Sequence, residues 1–259
     1  MAAELHQSRS GQTLVLTIAN PEHRNALGPE IYAAGQDALT MASSSADIRS
    51  VVITGASGVF SAGGNLQRLQ ANRAEAPAVQ AQSIEGLHQW IRSIARCPKP
   101  VIAAVEGAAA GAGFSLALAC DLLVAAEDAV LVMAYSSIAL SPDGGGSWNL
   151  AQALPRQLVT ELLMCGNRIS AQRLQELGVV NQVGPSGTAL QMALALADRL
   201  NVRAPNALAS IKTLTRQACG QDLNQQLDKE RDHFVSNLHH ANAGIGIAAF
   251  LSKTPPAYQ

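Results

Sequence analysis

The stretch Gly107-Ala108-Ala109-Ala110-Gly111-Ala112-Gly113-Phe114 follows a β-like run and leads into a helical one. A second stretch of small residues, Phe60-Ser61-Ala62-Gly63-Gly64-Asn65-Leu66, stands earlier in the chain in the same context. Small side chains let a ligand come close to the main chain, and the start of a helix adds partial positive charge there. Two such strand-to-helix turns predict a pair of backbone N–H groups aimed at one point, suited to hold a carbonyl oxygen that becomes negative.

The segments around these turns alternate between strand-like and helical patterns. Apolar, β-branched runs predict strands over 13–19, 51–54, 101–105 and 122–125. Helical spacing of apolar residues, and Pro29 at a first-turn position, predict helices over 29–42, 80–97 and 113–119. From residue 189 onward the patterns are almost purely helical, over 189–202, 206–219, 223–239 and 245–251. We therefore divide the chain into an α/β core, 1–190, and a C-terminal helical region, 191–259.

Composition and charge argue against several classes of protein. The 259 residues can bury a large core, and a net charge of −1 gives no reason to expect nucleic acid or an anionic membrane as a partner. The four cysteines, Cys97, Cys120, Cys165 and Cys219, are widely spaced, so neither a metal site nor a disulfide framework is expected. No apolar run predicts a membrane span, and residues 1–7 do not resemble a secretory signal. We expect a cytoplasmic protein.

Several further segments carry a recognisable pattern along nearly the whole chain. In order they are NPEHRNAL at 20–27, FSAGGNL at 60–66, the run at 98–121, LSPDGGG at 140–146, GNRISA at 166–171 and GIAAFLSK at 246–253. In content and order they resemble the enoyl-CoA hydratase/isomerase family of the crotonase superfamily. The resemblance implies an α/β fold built as a spiral of ββα repeats, with a C-terminal helical region that makes trimer contacts. It also implies an acyl-CoA substrate, a homotrimer or a dimer of trimers, and no cofactor besides the coenzyme A that the substrate carries.

The resemblance also assigns binding residues. It implies that the N–H groups of Gly64 and Ala112 form the oxyanion hole around the thioester carbonyl, and that Arg24 meets the phosphates of coenzyme A. A guanidinium suits this role because it pairs with phosphate through two hydrogen bonds. The other positions that match the family's coenzyme A and acyl-binding walls are Ala26, Ala62, Asn65, Leu66, Tyr135, Pro142, Phe250 and Lys253. Phe250 and Lys253 match positions that often reach the coenzyme A of a neighbouring subunit.

The chain departs from the family at its acid and base positions. Hydratases carry two glutamates where this sequence has Ser115 and Tyr135. Adding water to a double bond usually needs one group to activate the water and another to manage the α-proton. Asp143, directly after Pro142, is the remaining acidic candidate and matches the single catalytic acid of several isomerases. We therefore expect isomerisation of an enoyl-CoA or of an aromatic epoxyacyl-CoA, with hydration by an enoyl-CoA hydratase as the alternative.

Particular residues are also consistent with other classes of function. His88, Tyr135 and Asp143 together resemble the site of aryl-CoA dehalogenases, in which an aspartate attacks the ring and a histidine activates water. A serine hydrolase built on GFSLA at 113–117 is a further alternative, but Ser115 lies well beyond the preceding strand and is expected inside a helix. A non-catalytic coenzyme A-binding protein is the last alternative.

Overall fold

The chain folds around two β-sheets in a computed structural model that describes residues 3–259. In chain order the strands are β1 (Glu4–Ser10), β2 (Thr13–Ala19), β3 (Ser50–Gly55), β4 (Val101–Val105), β5 (Ala108–Ala110), β6 (Leu122–Ala126), β7 (Val130–Val132), β8 (Arg168–Ser170) and β9 (Gln182–Gly184). The six-stranded sheet has the order β1-β2-β3-β4-β6-β9, and the three-stranded sheet the order β5-β7-β8. Residues 1–2 of the predicted core region lie outside the described residues.

Helices surround both sheets and form the C-terminal part of the chain. They are α1 (Pro29–Ser44), α2 (Leu66–Asn72), α3 (Pro77–Arg96), α4 (Ala112–Ala119), α5 (Gly146–Ala153), α6 (Arg156–Cys165), α7 (Ala171–Glu176), α8 (Ala189–Asn201), α9 (Pro205–Ala218), α10 (Leu223–Leu238) and α11 (Ala241–Ser252). Proline opens α1, α3 and α9, where its missing N–H costs no intrahelical hydrogen bond. Pro29 therefore begins a helix, as its position in the sequence predicts.

The larger sheet is almost entirely parallel. Only β1 and β2 pair antiparallel, and each later neighbour along the sheet runs parallel to the one before. β3 and β4 are buried along nearly their whole length, which is typical of a parallel sheet covered on both faces. Their apolar, largely β-branched sequences follow from that burial, since no face of these strands meets water.

A strand, strand, helix unit recurs along the chain. β4 enters the larger sheet, β5 enters the smaller one, and α4 follows; β6, β7 and α5 repeat that path. The parallel register places Ile102 of β4 beside Leu122 of β6, and Ala109 of β5 beside Leu131 of β7. Successive units therefore stack with the same orientation, which is the predicted spiral of ββα repeats.

Most buried apolar side chains form one large core between the two sheets and their helices. A second, smaller core lies on the other face of the larger sheet, under α8. There Ala189, Ala193 and Ala197 of α8 face Val52 and Ile102 of the sheet. Position 190, the predicted boundary between core and C-terminal region, lies inside this sheet-packed helix. The division of the chain into those two regions stays a prediction.

The helix α9 is attached to the core through charged groups. Lys212 of α9 is buried, with its Nζ 2.7 Å from Asp121 and 2.8 Å from the Ile94 carbonyl oxygen at the end of α3. Arg216, one helical turn further, lies 2.8 Å from the same Asp121 carboxylate. That carboxylate also accepts a hydrogen bond of 2.9 Å from the N–H of Val101, the first residue of β4. The start of a central strand and the C-terminal helices thus share one anchoring group.

Beyond α9 the helices present much apolar surface to solvent. The exposed apolar residues of α10 and α11 are Leu223, Leu227, Phe234, Val235, Leu238, Ile247, Phe250 and Leu251. In residues 3–259 no helix combines the length and the apolar character that crossing a membrane requires.

Candidate active site

The two glycine-rich turns lie side by side. The N–H of Ser61, in the first turn, donates to the Ala108 carbonyl oxygen at 2.9 Å, and the N–H of Ala110 donates back to the Ser61 carbonyl oxygen at 2.9 Å. Ser61 and Ala109 thereby form an isolated parallel bridge, so Ser61 occupies the place of a further strand beside β5. The spiral thus joins turns that are distant in sequence.

Two glycines permit this close approach. Gly63 has a φ of +90°, and a Cβ there would lie 2.5 Å from the Ala110 carbonyl oxygen and 3.2 Å from the Ala112 nitrogen. A Cβ at Gly113 would lie 2.6 Å from the Ser61 carbonyl oxygen. The distances of 2.5 and 2.6 Å to the two carbonyl oxygens are far shorter than a real Cβ allows, so the small residues of the two turns are needed where the turns touch.

The N–H groups of Gly64 and Ala112 are available at this junction. Ala112 is the first residue of α4, where an N–H has no acceptor within its own helix. In residues 3–259 no backbone acceptor is found for the Gly64 N–H. Both residues line the same cavity. Such N–H groups can donate hydrogen bonds to a ligand oxygen that carries developing negative charge.

The cavity next to the two turns has a volume of about 460 Å³. It brings together most of the residues that the sequence assigns to a site: Ala62, Gly64, Asn65, Leu66, Ala112, Tyr135, Pro142 and Asp143. Much of the remaining wall is aliphatic, from Leu69, Ile84, Ile138 and Leu140. Such a cleft, apolar with a few placed polar groups, is typical of a small-molecule site.

Asp143 is the one carboxylate among the residues that line this cavity. Its Oδ1 accepts a hydrogen bond of 2.7 Å from the Tyr135 hydroxyl. Burial raises the pKa of Asp143 above its ordinary value of 3.8, although the hydrogen bond from Tyr135 and the charge of His88 act in the opposite direction. A raised pKa makes the ionised carboxylate a stronger base than an exposed aspartate, which favours removal of a proton from a carbon atom.

Ser115 and Tyr135 both form hydrogen bonds to Asp143. Ser115 is fully buried in α4, and its Oγ donates to the Asp143 carbonyl oxygen at 2.9 Å and lies 3.3 Å from the Tyr135 hydroxyl oxygen. Burial, with the nearby Asp143 charge, raises the pKa of Tyr135 well above that of a free phenol. Tyr135 therefore stays protonated and acts as a hydrogen-bond donor to Asp143.

The glycines after Asp143 let the loop pass close over α4. Gly144 has a φ of +60°, a conformation that favours glycine, and a Cβ at Gly146 would lie 2.4 Å from the Ser115 Oγ. Ser115 is thus covered by the loop and hydrogen-bonded to it. Its full burial inside α4 is unlike the exposed serine at a strand end that a serine hydrolase uses.

Sequence reasoning missed a group of polar residues that line the same cavity. These are Tyr32 of α1, Arg68 of α2, and Gln80 and Ser83 of α3. His88 of α3, which the sequence singled out, lines the same cavity, and its Nδ1 lies 3.5 Å from Glu85. The spacing of Gln80, Ile84 and His88 is that of one helix face, a signal that could have identified this wall.

Four predicted binding residues do not line the cavity of this chain: Arg24, Ala26, Phe250 and Lys253. Arg24 is exposed at a φ of +51°, and its carbonyl oxygen accepts the N–H of Ala62 in the cavity wall at 3.0 Å. Ala26 is buried, whereas 84% of Phe250 is exposed at the end of α11. The assignment of these residues to coenzyme A stays a prediction.

Comparison with known proteins shows which family this chain belongs to. A profile of the enoyl-CoA hydratase/isomerase family matches residues 8–259. The chain is 35% identical to 1,2-epoxyphenylacetyl-CoA isomerase of Escherichia coli strain K12, over 95% of this chain and 94% of that protein. It is 33% identical to 2,3-dehydroadipyl-CoA hydratase of the same strain, over 99% of each.

A solved structure agrees with the sequence matches. An enoyl-CoA hydratase from Polaromonas sp. JS666 superposes with a TM-score of 0.98 and 68% identity, over 98% of this chain and 99% of that one. This likeness, together with the stacked strand, strand, helix units, confirms the predicted crotonase fold. The chain therefore belongs to the enoyl-CoA hydratase/isomerase family, within the crotonase superfamily.

Proposed function

We propose that this protein is an isomerase of an enoyl-CoA, or of an aromatic epoxyacyl-CoA, that uses Asp143 as its single acid and base. The observation that carries the proposal is the presence of one carboxylate, Asp143, in the wall of the cavity beside the Gly64 and Ala112 N–H groups. The positions that hold glutamates in hydratases are occupied here by Ser115 and Tyr135, which hydrogen-bond to the Asp143 residue instead. One relative at 35% identity carries the name of an epoxyacyl-CoA isomerase.

In the proposed reaction of an enoyl-CoA, the thioester carbonyl oxygen accepts hydrogen bonds from the Gly64 and Ala112 N–H groups. Asp143 removes a proton from the α-carbon, and the electron pair of that C–H bond delocalises to the carbonyl oxygen as an enolate. Asp143 then returns the same proton to the γ-carbon as the double bond moves. No atom is gained or lost, so a single group that takes and returns one proton is sufficient.

Tyr135 has a positioning role in this scheme. Its hydroxyl stays protonated and donates to Asp143 Oδ1, which leaves Oδ2 for the substrate proton. The pKa of Asp143 remains above its ordinary value because the cost of burial outweighs that hydrogen bond. The carboxylate is therefore both oriented and basic.

Hydration is the second candidate, favoured by one specific observation. His88 lines the cavity with Asp143 and has Glu85 beside its Nδ1, at 3.5 Å. A histidine oriented by a carboxylate can activate a water molecule. One relative at 33% identity and one solved structure at 68% identity are named hydratases. The same pair, His88 and Asp143, is what a dehalogenase would use, so release of halide from a haloaryl-CoA distinguishes that third possibility.

The test compares parent protein and Asp143→Asn on a 3-enoyl-CoA, on crotonyl-CoA and on an aromatic epoxyacyl-CoA. We expect the parent to isomerise the 3-enoyl-CoA or the epoxide and to hydrate crotonyl-CoA poorly. Asp143→Asn removes the base with little change of volume, so the rate should fall by about 100- to 10,000-fold. Asp128→Asn, at an exposed turn between β6 and β7, is the matched control and should keep the parent rate.

Three outcomes would count against the proposal. An Asp143→Asn rate close to that of the parent would refute the single-acid mechanism. Efficient hydration of crotonyl-CoA by the parent would make hydration the function. Binding of acyl-CoA without turnover of any substrate would instead favour a non-catalytic binding protein.

We propose further that coenzyme A enters as part of the substrate, with no separate cofactor, in a cytoplasmic homotrimer or dimer of trimers. The exposed apolar residues of α10 and α11 support an assembly, because surface of this kind is usually covered by a partner. In such an assembly Phe250 and Lys253, at the end of α11, would reach the coenzyme A of a neighbouring subunit, and Arg24 would meet its phosphates.

A further inference from the structure

Arg68 is a charged residue in the wall of a largely apolar cavity. It belongs to α2, the short helix that follows the first glycine-rich turn, and it lines the cavity with Asp143. Its backbone N–H donates to the side chain of Asn65, the residue that caps α2, at 3.0 Å. The helix cap therefore sets where the Arg68 side chain leaves the backbone.

The guanidinium of Arg68 has few partners in the protein. Its Nε is shielded from solvent and has no hydrogen-bond partner in residues 3–259. Its Nη2 reaches the Ser83 Oγ only at the long distance of 3.5 Å. Across the described part of the chain no carboxylate forms a salt bridge with it. A guanidinium has five N–H donors and no acceptor, so most of its hydrogen-bonding capacity is unused.

The surroundings favour an anion at this place. Tyr32, which lines the cavity, is only 5% exposed; the charges of Arg68 and Asp143 act on its pKa in opposite directions, and its hydroxyl is also a hydrogen-bond partner of the Arg68 side chain. Ser83 adds a second hydroxyl next to the guanidinium. A purely hydrocarbon acyl group would cover this charge without pairing it, and a buried charge without a partner is costly.

We propose that Arg68 pairs with a carboxylate carried by the acyl group, and that the substrates are coenzyme A monothioesters of dicarboxylic acids. Guanidinium and carboxylate form two parallel hydrogen bonds in a fixed geometry, which selects this group over a hydroxyl or a methyl. Tyr32 and Ser83 supply further hydroxyl donors at the same wall. The inference rests on the proposed acyl-CoA function of the cavity and adds the class of acyl group that it takes.

The test measures binding by calorimetry for saturated dicarboxylic monothioesters, from succinyl-CoA to suberoyl-CoA. Each is compared with the monocarboxylic acyl-CoA of equal length. At one or more chain lengths the parent should bind the dicarboxylic ligand about 10- to 100-fold more tightly, as expected for hydrogen bonds to a charged group. Arg68→Met should abolish this preference and leave monocarboxylic ligands bound as before.

Two further variants distinguish the effect of the Arg68 charge from that of its planar guanidinium, and both from a general effect of losing an arginine in this region. Arg68→Lys keeps the charge without the planar fork and should keep part of the preference. Arg73→Met changes the same residue type at an exposed position just beyond α2 and should keep the full preference for dicarboxylic ligands.

The outcomes distinguish this inference from the proposed function. If the parent binds no acyl-CoA of either class, the proposed function itself fails. If the parent binds both classes equally at every length, acyl-CoA binding stands and the role of Arg68 is refuted. If Arg68→Met instead weakens the binding of both acyl-CoA classes and of free coenzyme A equally, Arg68 is a coenzyme A ligand. Its pairing with an acyl carboxylate is then refuted.

Discussion

Asp143, Tyr135 and Ser115 form a connected unit in which hydroxyl groups hold a carboxylate. The Tyr135 hydroxyl donates to the Asp143 side chain, and the Ser115 hydroxyl donates to the Asp143 main chain. Each contact comes from a different part of the spiral, so the position of Asp143 depends on the correct stacking of α4 and the loop before α5. The pKa of this carboxyl group is set by burial, which raises it, against the Tyr135 hydrogen bond and the charge of His88, which lower it.

Replacing Tyr135 by phenylalanine tests that balance. The variant loses the hydrogen bond that lowers the pKa of Asp143, while burial continues to raise it. The pKa of Asp143 should therefore rise further, and the acid limb of the kcat/KM profile, where the base becomes protonated, should move to higher pH. Tyr258→Phe, near the C-terminus, is the matched control. An acid limb that stays in place or moves to lower pH would refute the positioning role of Tyr135.

Residue patterns predicted one side of the site and missed the other. Asp143 and the glycine-rich turns belong to short motifs that can be recognised from the sequence alone. Tyr32, Arg68, Gln80 and Ser83 come from three helices that meet only in the folded chain. Their positions depend on how α1, α2 and α3 pack, and the one local signal among them is the helical spacing of Gln80 with Ile84 and His88.

At the scale of the element, the contact between the two glycine-rich turns determines the geometry of the predicted oxyanion hole. Gly113→Ala would place a Cβ against the Ser61 carbonyl oxygen and separate the turns. We expect a loss of stability of roughly 1–3 kcal/mol, the range for overpacking a buried contact, and a clear fall in kcat because the Ala112 N–H moves. Urea unfolding and steady-state kinetics measure the two effects.

The matched control for that variant is Gly220→Ala, in the turn between α9 and α10. A Cβ there meets only the Gln217 carbonyl oxygen, at an ordinary 3.8 Å, so both stability and kcat should stay near those of the parent. Parent-like behaviour of Gly113→Ala itself would show that the turns can separate without harm, against the proposed geometry.

Elements with long apolar patterns were predictable, and short or polar ones were not. The strands predicted over 13–19 and 101–105 coincide with β2 and β4, and the helix predicted over 189–202 differs from α8 by one residue at its end. β5, β7, β8 and β9 have three residues each, too few to show a period. β1 was missed because its polar sequence lies exposed at the sheet edge, where pairing with β2 and not burial defines it.

At the scale of the whole molecule, the apolar faces of α10 and α11 predict an assembly. Light scattering at micromolar concentration should give three or six times the 26.9 kDa of one chain. Phe250→Ser with Leu251→Ser removes two of the most exposed apolar side chains of α11 and should lower both the mass and the affinity for acyl-CoA. Met164→Ser, at an equally exposed site on α6, should change neither.

A monomeric parent would contradict the predicted trimer. If the double variant became monomeric but bound acyl-CoA as tightly as the parent, the assembly would stand and the contribution of Phe250 to a neighbouring site would be refuted.

The shared anchor at Asp121 limits how this chain can be recombined with its relatives. Its carboxylate joins the first residue of β4 to Lys212 and Arg216 of α9, across half the length of the sequence. A chimera that takes its sheet from one parent and its C-terminal helices from another would combine an acid from the first with cations from the second. Unless both parents carry these partners, the chimera leaves a buried charge unpaired. The segment that carries Val101 and Asp121 and the helix α9 must therefore be exchanged together.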